Sequence, residues 1–163
     1  MEKFLDLDDG RWINMTPTEG TLLAKKYCNV VATGEKGRNS NPTYTIIDNC
    51  EGQDPIDFKK TFMSLTRKNK MTVKFVQGKF GMGSFGAVNF CTKYGLQLII
   101  SKRNPNLICQ NHKNEWGFTV VRKIKPTREE RCSKWQYLVI NNEIPSFHKE
   151  DLKLYPSEYP NPY

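Results

Sequence analysis

Apolar positions change period along this chain, and each change predicts an element. Leu22, Leu23, Tyr27 and Val30 recur at helical spacing. The Thr16-Pro17-Thr18-Glu19 turn before them carries the residue types that cap a helix starting near Glu19. That helix runs into Val30-Val31-Ala32-Thr33-Gly34, which suits a strand or a helix end. Residues 35–42 are Gly, Arg, Asn, Ser and Pro among charges, a loop composition. Tyr44-Thr45-Ile46-Ile47 then forms a β-rich run that stops at Asp48 and turns through Asn49-Cys50-Glu51-Gly52-Gln53.

Asp54 followed by Pro55 predicts an N-cap with proline in the first helical turn, and Ile56, Phe58, Phe62 and Leu65 suit an amphipathic helix ending near Arg67. Ala87, Val88 and Phe90 fit a short helix up to Cys91. Leu96 to Ser101 reads as a buried strand, and Gly117 to Ile124 and Trp135 to Ile140 read as further strands. The segment from Pro156 to Tyr163 has three prolines and predicts no regular element. The consequence is an α+β fold, a two-layer α/β sandwich with helices on one face of a mixed sheet. At 163 residues the chain predicts one domain spanning 1–163.

The stretch Gly78-Lys79-Phe80-Gly81-Met82-Gly83-Ser84-Phe85-Gly86 places four glycines within nine residues, just before the apolar run at Ala87. Glycine removes the Cβ that keeps a ligand off the main chain, so consecutive N–H groups can converge on an anion. A helix opening near Ser84 adds unpaired donors and its positive dipole end. The spacing fits neither Gly-x-x-x-x-Gly-Lys-Ser/Thr nor Gly-x-Gly-x-x-Gly, which excludes the two commonest phosphate loops.

An acid-then-glycine turn at Asp48–Gly52, followed after a helix by this glycine run, resembles the ATP-binding module shared by heat-shock chaperones, gyrase B subunits, mismatch-repair ATPases and sensor histidine kinases. This is the GHKL superfamily with its Bergerat fold. Its first box, Asp-x-Gly-x-Gly, is matched by Asp48-Asn49-Cys50-Glu51-Gly52 except that Cys50 replaces the first glycine. Gly78 to Phe85 resembles the chaperone form of the second box. Thr61-Phe62-Met63-Ser64-Leu65, Phe75 to Phe80 and Leu96 to Ser101 look like a bacterial subfamily of uncharacterised ATP-binding proteins. The resemblance covers roughly residues 27 to 140.

The resemblance implies a mostly antiparallel sheet and an adenine nucleotide, ATP or ADP, as cofactor. By it, Asp48 accepts a hydrogen bond from the adenine amino group and Gly52 lets the base lie against the backbone. Gly78, Phe80, Gly81, Met82, Gly83, Ser84, Phe85 and Gly86 form the phosphate loop. Their main-chain N–H groups face the phosphates, Lys79 adds a point charge, and Phe80, Met82 and Phe85 serve mainly in packing. Cys50 is a tolerated substitution that strains the turn if φ > 0 is required there. The polar, basic stretch Thr66 to Lys74 lies near the nucleotide in the family, and a solvated loop is the alternative reading.

Two family features are missing. The N box, a helix with a catalytic glutamate and a magnesium-binding asparagine, has no counterpart, since Glu19 and Asn29 lack its spacing. The late Gly-Thr strand is expected beyond Tyr163. The chain therefore reads as an incomplete domain cut at both ends. Hydrolysis and Mg2+ binding are expected of a longer parent, whose remaining domains or a protein partner supply what is absent.

Composition narrows the alternatives. Hydrophobic residues make up 37% and charged residues 26%, a globular balance, and no apolar run reaches a membrane span. The N-terminus lacks the layout of a secretory signal, which points to the cytoplasm. Cys28, Cys50, Cys91, Cys109 and Cys132 have no Cys-x-x-Cys pair, so they predict buried free thiols rather than a disulfide framework or a metal site. His112 and His148 fall in polar loops away from both boxes. The formal charge of +8 attracts polyanions. The cations at Lys59-Lys60, Arg67-Lys68, Lys102-Arg103, Arg122-Lys123 and Arg128 to Arg131 are nevertheless dispersed rather than striped. A nucleic-acid-binding module and a degenerate scaffold without nucleotide are the competing readings.

Overall fold

A computed structural model of the chain describes residues 15–34, 42–64, 87–88 and 95–152. These fall in two compact units, one drawn from Met1–Glu51 with Glu150–Tyr163, the other from Gly52–Lys149.

In the first unit, helix α1 spans Pro17–Tyr27. Thr16 caps it reciprocally: the Glu19 N–H donates to Thr16 Oγ1 at 3.3 Å, and Glu19 Oε2 accepts from the Thr16 N–H at 2.9 Å. Proline in the first turn costs nothing because its missing N–H has no helical partner there. Lys25 and Lys26 lie in the last turn, where cations face the negative dipole end. The helix stops as Cys28 takes up an extended backbone (φ −147°, ψ 122°). The ambiguous Val30–Gly34 stretch is therefore strand: β1, Cys28–Thr33, pairs antiparallel with β2, Thr43–Asp48. The β-branched pair Val30-Val31 favours this choice. Val30 thus leaves the helical stripe predicted for it and stands opposite Ile46. Val31 is buried, while Val30, Tyr44 and Ile46 are exposed on the opposite face.

In the second unit Asp54 is the expected N-cap, its Oδ1 accepting from the Ile56 N–H at 3.1 Å. The helix it caps is of the 3-10 type, Pro55–Lys60, rather than the α-helix predicted toward Arg67. Thr61 ends it at φ −119°, ψ −84°, with its hydroxyl 2.8 Å from the Asp57 carbonyl and also against Gln53. That side-chain bond competes with continuation of the ladder. The remainder of the predicted helix, from Leu65 onward, lies outside the described residues.

The sheet of this unit has the order β3–β4–β5, from Leu96–Lys102, Trp116–Ile124 and Lys134–Tyr137, with the short β6, Ser146–Phe147, also pairing with β4. Every strand pairing among the described residues is antiparallel, and the architecture is α+β with open sheets. β3 is not buried on both faces as its continuous apolar run suggests: Ile99 is buried, but Leu96 and Leu98 are 47% and 66% exposed. The strand predicted to run to Ile140 extends only to Tyr137, with one further bond from the Leu138 N–H to the Val120 carbonyl at 3.0 Å. Asn141 and Asn142, at φ 50° and 63°, then make a tight turn closed by reciprocal 2.9 Å bonds between Ile140 and Glu143.

The core gathers Phe58, Ile99, Val121 and Ile144, with Phe62, Met63, Trp135 and Val139 packed around them. Phe58 meets Phe62 edge to face at a centroid distance of 5.1 Å. The 3-10 helix lies so close to β4 that a Cβ on Gly117 would stand 2.7 Å from Pro55 Cγ. Helix therefore packs on sheet as expected. Val88, in a helical turn with Ala87, is also buried. The cysteines depart from expectation: Cys28, Cys50, Cys109 and Cys132 are free and exposed. They lie at strand ends and in loops, where a small apolar side chain finds no packed layer. Cys91 and the predicted irregular tail 156–163 lie outside the described residues.

Phe58→Ala is expected to cost about 3–5 kcal/mol, because it empties a fully buried aromatic site. Ile56→Ala, at a position 60% exposed, should stay within about 0.5 kcal/mol. Urea unfolding of both variants tests this, and equal losses would contradict the assigned core.

Candidate functional site

Strand β2 ends by presenting Asp48 at its tip, exposed and opposite Cys28. One residue on, the Asn49 N–H donates to the Tyr27 carbonyl at 2.8 Å, which holds the chain to the end of α1 as the ladder finishes. Cys50 comes next, in a bend. Among the described residues only Asn141 and Asn142 are non-glycines with positive φ, so Cys50 does not carry the strain anticipated from its place in a glycine position.

The Cys50 thiol is raised above the usual thiol range. Partial burial is the largest cause, followed by the charge of the Asp48 carboxylate and the hydrogen bond it accepts, with Cys28 and Glu51 adding to the push. The thiol is held protonated beside Asp48. A cysteine held this way is not a resting thiolate, the form that a fast catalytic nucleophile takes.

In the second unit, Gly52 adopts φ +58°. A Cβ at this position would lie 1.8 Å from the Lys102 carbonyl oxygen. Backbone therefore occupies the space that any other residue would need. Around that approach the Gln53 N–H donates to Ser101 Oγ at 2.9 Å and Arg103 Nη1 donates to the Gly52 carbonyl at 3.1 Å. Ser101, Lys102 and Arg103 as fixers of the first-box glycine were not anticipated. The only sequence signal was a polar, basic end to an apolar strand, which has many explanations.

The second box, Gly78, Lys79, Phe80, Gly81, Met82, Gly83, Ser84, Phe85 and Gly86, lies outside the described residues, as does the basic stretch Thr66 to Lys74. The two residues considered for an N box are engaged locally. Glu19 closes the cap of α1, and Asn29 Nδ2 donates to the Lys25 carbonyl at 2.9 Å. Among the described residues no group of three His, Cys, Asp or Glu side chains gathers as a metal site. His112 ties a loop to the 3-10 helix: Nδ1 accepts from the Cys109 N–H at 3.3 Å, and Nε2 is 3.4 Å from Asp57 Oδ2.

Several cations are likewise engaged within the protein. Arg122 Nε and Nη2 both donate to Gln136 Oε1, at 2.9 and 2.7 Å. Lys134 pairs with Glu130, Lys59 donates to the Asn142 carbonyl, and Lys123 lies 5.6 Å from the Trp135 ring centroid. No helix among the described residues is long and apolar enough to cross a membrane.

The model of the histidine kinase-, DNA gyrase B- and HSP90-like ATPase family matches residues 24–142 of the chain. That span contains Asp48 and Gly52 together with the whole glycine run, and the chain belongs to this family. No curated protein and no solved structure matches it.

Alkylation by iodoacetamide, followed residue by residue by mass spectrometry across pH, should give Cys50 a midpoint above that of a free cysteine. In Asp48→Asn the midpoint should fall, because the charge disappears and the carboxylate acceptor becomes a weaker amide oxygen, yet stay elevated through the burial that remains. An unchanged midpoint in that variant would contradict the electrostatic coupling.

Proposed function

We propose that this chain binds an adenine nucleotide, with Asp48 as the residue that reads the base. The observation carrying this reading is an exposed carboxylate at the tip of β2, inside the family-matched span. Its acceptor capacity is not consumed by the backbone ladder. Adenine offers an exocyclic amino group, and an ionised acceptor makes a charge-assisted hydrogen bond with such a donor.

Gly52 is the glycine that closes the first box, the space of its missing Cβ being taken by the Lys102 carbonyl. In the loop from Gly78 to Gly86, the N–H groups of Gly81, Met82, Gly83, Ser84, Phe85 and Gly86 take the phosphates, with Lys79 adding a point charge and Phe80 serving in packing. Small residues in this run permit close backbone approach and put several dipoles on one anion. When bound, the nucleotide supplies the phosphoryl group that family ATPases act on. The function proposed is nucleotide binding within one ATP-binding domain.

Calorimetric titration with ADP at moderate salt tests the reading. Asp48→Ala should weaken binding by about 1–3 kcal/mol with the circular dichroism spectrum unchanged. ADP affinity that survives in the folded variant would remove Asp48 from the site. Binding only of polyanions, falling steeply with salt, would favour a nucleic-acid module instead.

A second comparison separates backbone from charge in the phosphate loop. Gly83→Val should damage ADP affinity more than Lys79→Ala, since a branched side chain blocks the approach while an exposed lysine adds only a screened charge. The reverse order would exclude a backbone cradle.

A further inference from the structure

Cys50 stands where the family motif has glycine, and the nucleotide reading gives its thiol no task. Its surroundings in the first unit are specific. The bond from the Asn49 N–H to the Tyr27 carbonyl, at 2.8 Å, makes Tyr27 and Asn49 a hydrogen-bonded position of the β1–β2 ladder. The adjacent pair, Cys28 with Asp48, is then of the non-hydrogen-bonded kind, in which opposed Cα atoms come within about 4.5 Å and side chains project together from one face. Cys50 comes two residues after Asp48, in a bend beyond the strand, where its thiol hydrogen-bonds the Asp48 carboxylate and lies within electrostatic range of Cys28. Both thiols are free and exposed, and Cys50 sits in a bend beyond the last ladder pair.

We propose that Cys28 and Cys50 are a redox-closable thiol pair across Asp48, joined by hydrogen peroxide and reopened by a dithiol, and that closing it covers the base-reading carboxylate. The inference rests on the nucleotide reading of Asp48. The sulfur of Cys28 attacks the peroxide: an S–O bond forms, the O–O bond breaks, and the departing hydroxide takes the thiol proton as water. Cys50 sulfur then attacks the Cys28 sulfenic acid. An S–S bond forms, the S–O bond breaks, and the Cys50 proton leaves through the neighbouring Asp48 carboxylate to hydroxide, giving a second water. Two thiols are oxidised and one peroxide is reduced. Cys28 is the thiol that meets oxidant first, because Asp48 holds the Cys50 proton in place. Exposed disulfides of this kind are the labile, regulatory ones.

The test uses the full chain, reduced and then treated with hydrogen peroxide. Trypsin separates the two cysteines, Cys28 into the peptide Tyr27–Lys36 and Cys50 into Asn39–Lys59, so a link between them is read directly by mass. The expected result is a Cys28–Cys50 link that dithiothreitol removes. ADP affinity should be lower by about tenfold in the oxidised chain, as expected for loss of one charged acceptor. Cys28→Ser should keep its ADP affinity through the same treatment. Absence of the link, or a link to another cysteine, overturns the pairing. A link that leaves ADP affinity unchanged overturns the gating. Failure of the reduced chain to bind ADP overturns the nucleotide reading and the gating with it, while the mass measurement judges the pairing independently.

Discussion

The carbonyl of Lys102 fills the space where a side chain on residue 52 would be, and much of the second unit is arranged around that approach. Only glycine satisfies both the positive φ and the absent Cβ, so the residue type at this position is dictated by the end of a strand fifty residues later. Ser101 and Arg103 on either side of Lys102 bond to Gln53 and Gly52, fastening the end of β3 to the chain just before the Asp54 cap. With that segment held, Phe58 is delivered to the core and Pro55 to the surface of Gly117. A glycine read first as a ligand edge thus also has a purely internal reason to be glycine.

In the first unit the governing feature is electrostatic. Asp48 ends its strand with a carboxylate that neither the ladder nor a cation consumes among the described contacts, and its clearest effect is on a neighbour, the Cys50 thiol. A charge left exposed at a strand tip costs little, since water solvates it, and it remains available to a donor arriving from outside. The helix before it is arranged differently. Glu19 is turned back on Thr16, and the basic last turn faces the dipole end, so α1 uses its own charges for its own stability.

Four of the described cations are used in the same local way. Arg122, Lys134, Lys59 and Lys123 are each directed at a partner within their unit, in amide, carboxylate, carbonyl and ring contacts respectively. Exposed contacts of this kind are weak singly. They nevertheless direct these four described side chains at separate partners.

The sequence by itself determined the features whose energy is local. Thr16 with Glu19, Asp54 with Pro55, and the β-branched run ending at Asp48 each signal within a few residues the cap or strand end that forms, because the groups that stabilise them are neighbours in the chain. The glycine boxes, read in order, carried the family in the same way. Tertiary structure decided whatever depends on distant partners. Leu96 to Ser101 reads as a strand, but its exposed outer face comes from what packs on β3 and not from the strand itself. The Asp54 helix is 3-10 and ends at Thr61, and no local pattern distinguishes that from continuation, since the Thr61 bond back to Asp57 has a twin from Thr21 to Pro17 inside α1. Cysteines predicted to be buried are exposed because a thiol's environment is set by the layers around it, and the approach of Lys102 to Gly52 joins positions that no spacing rule connects.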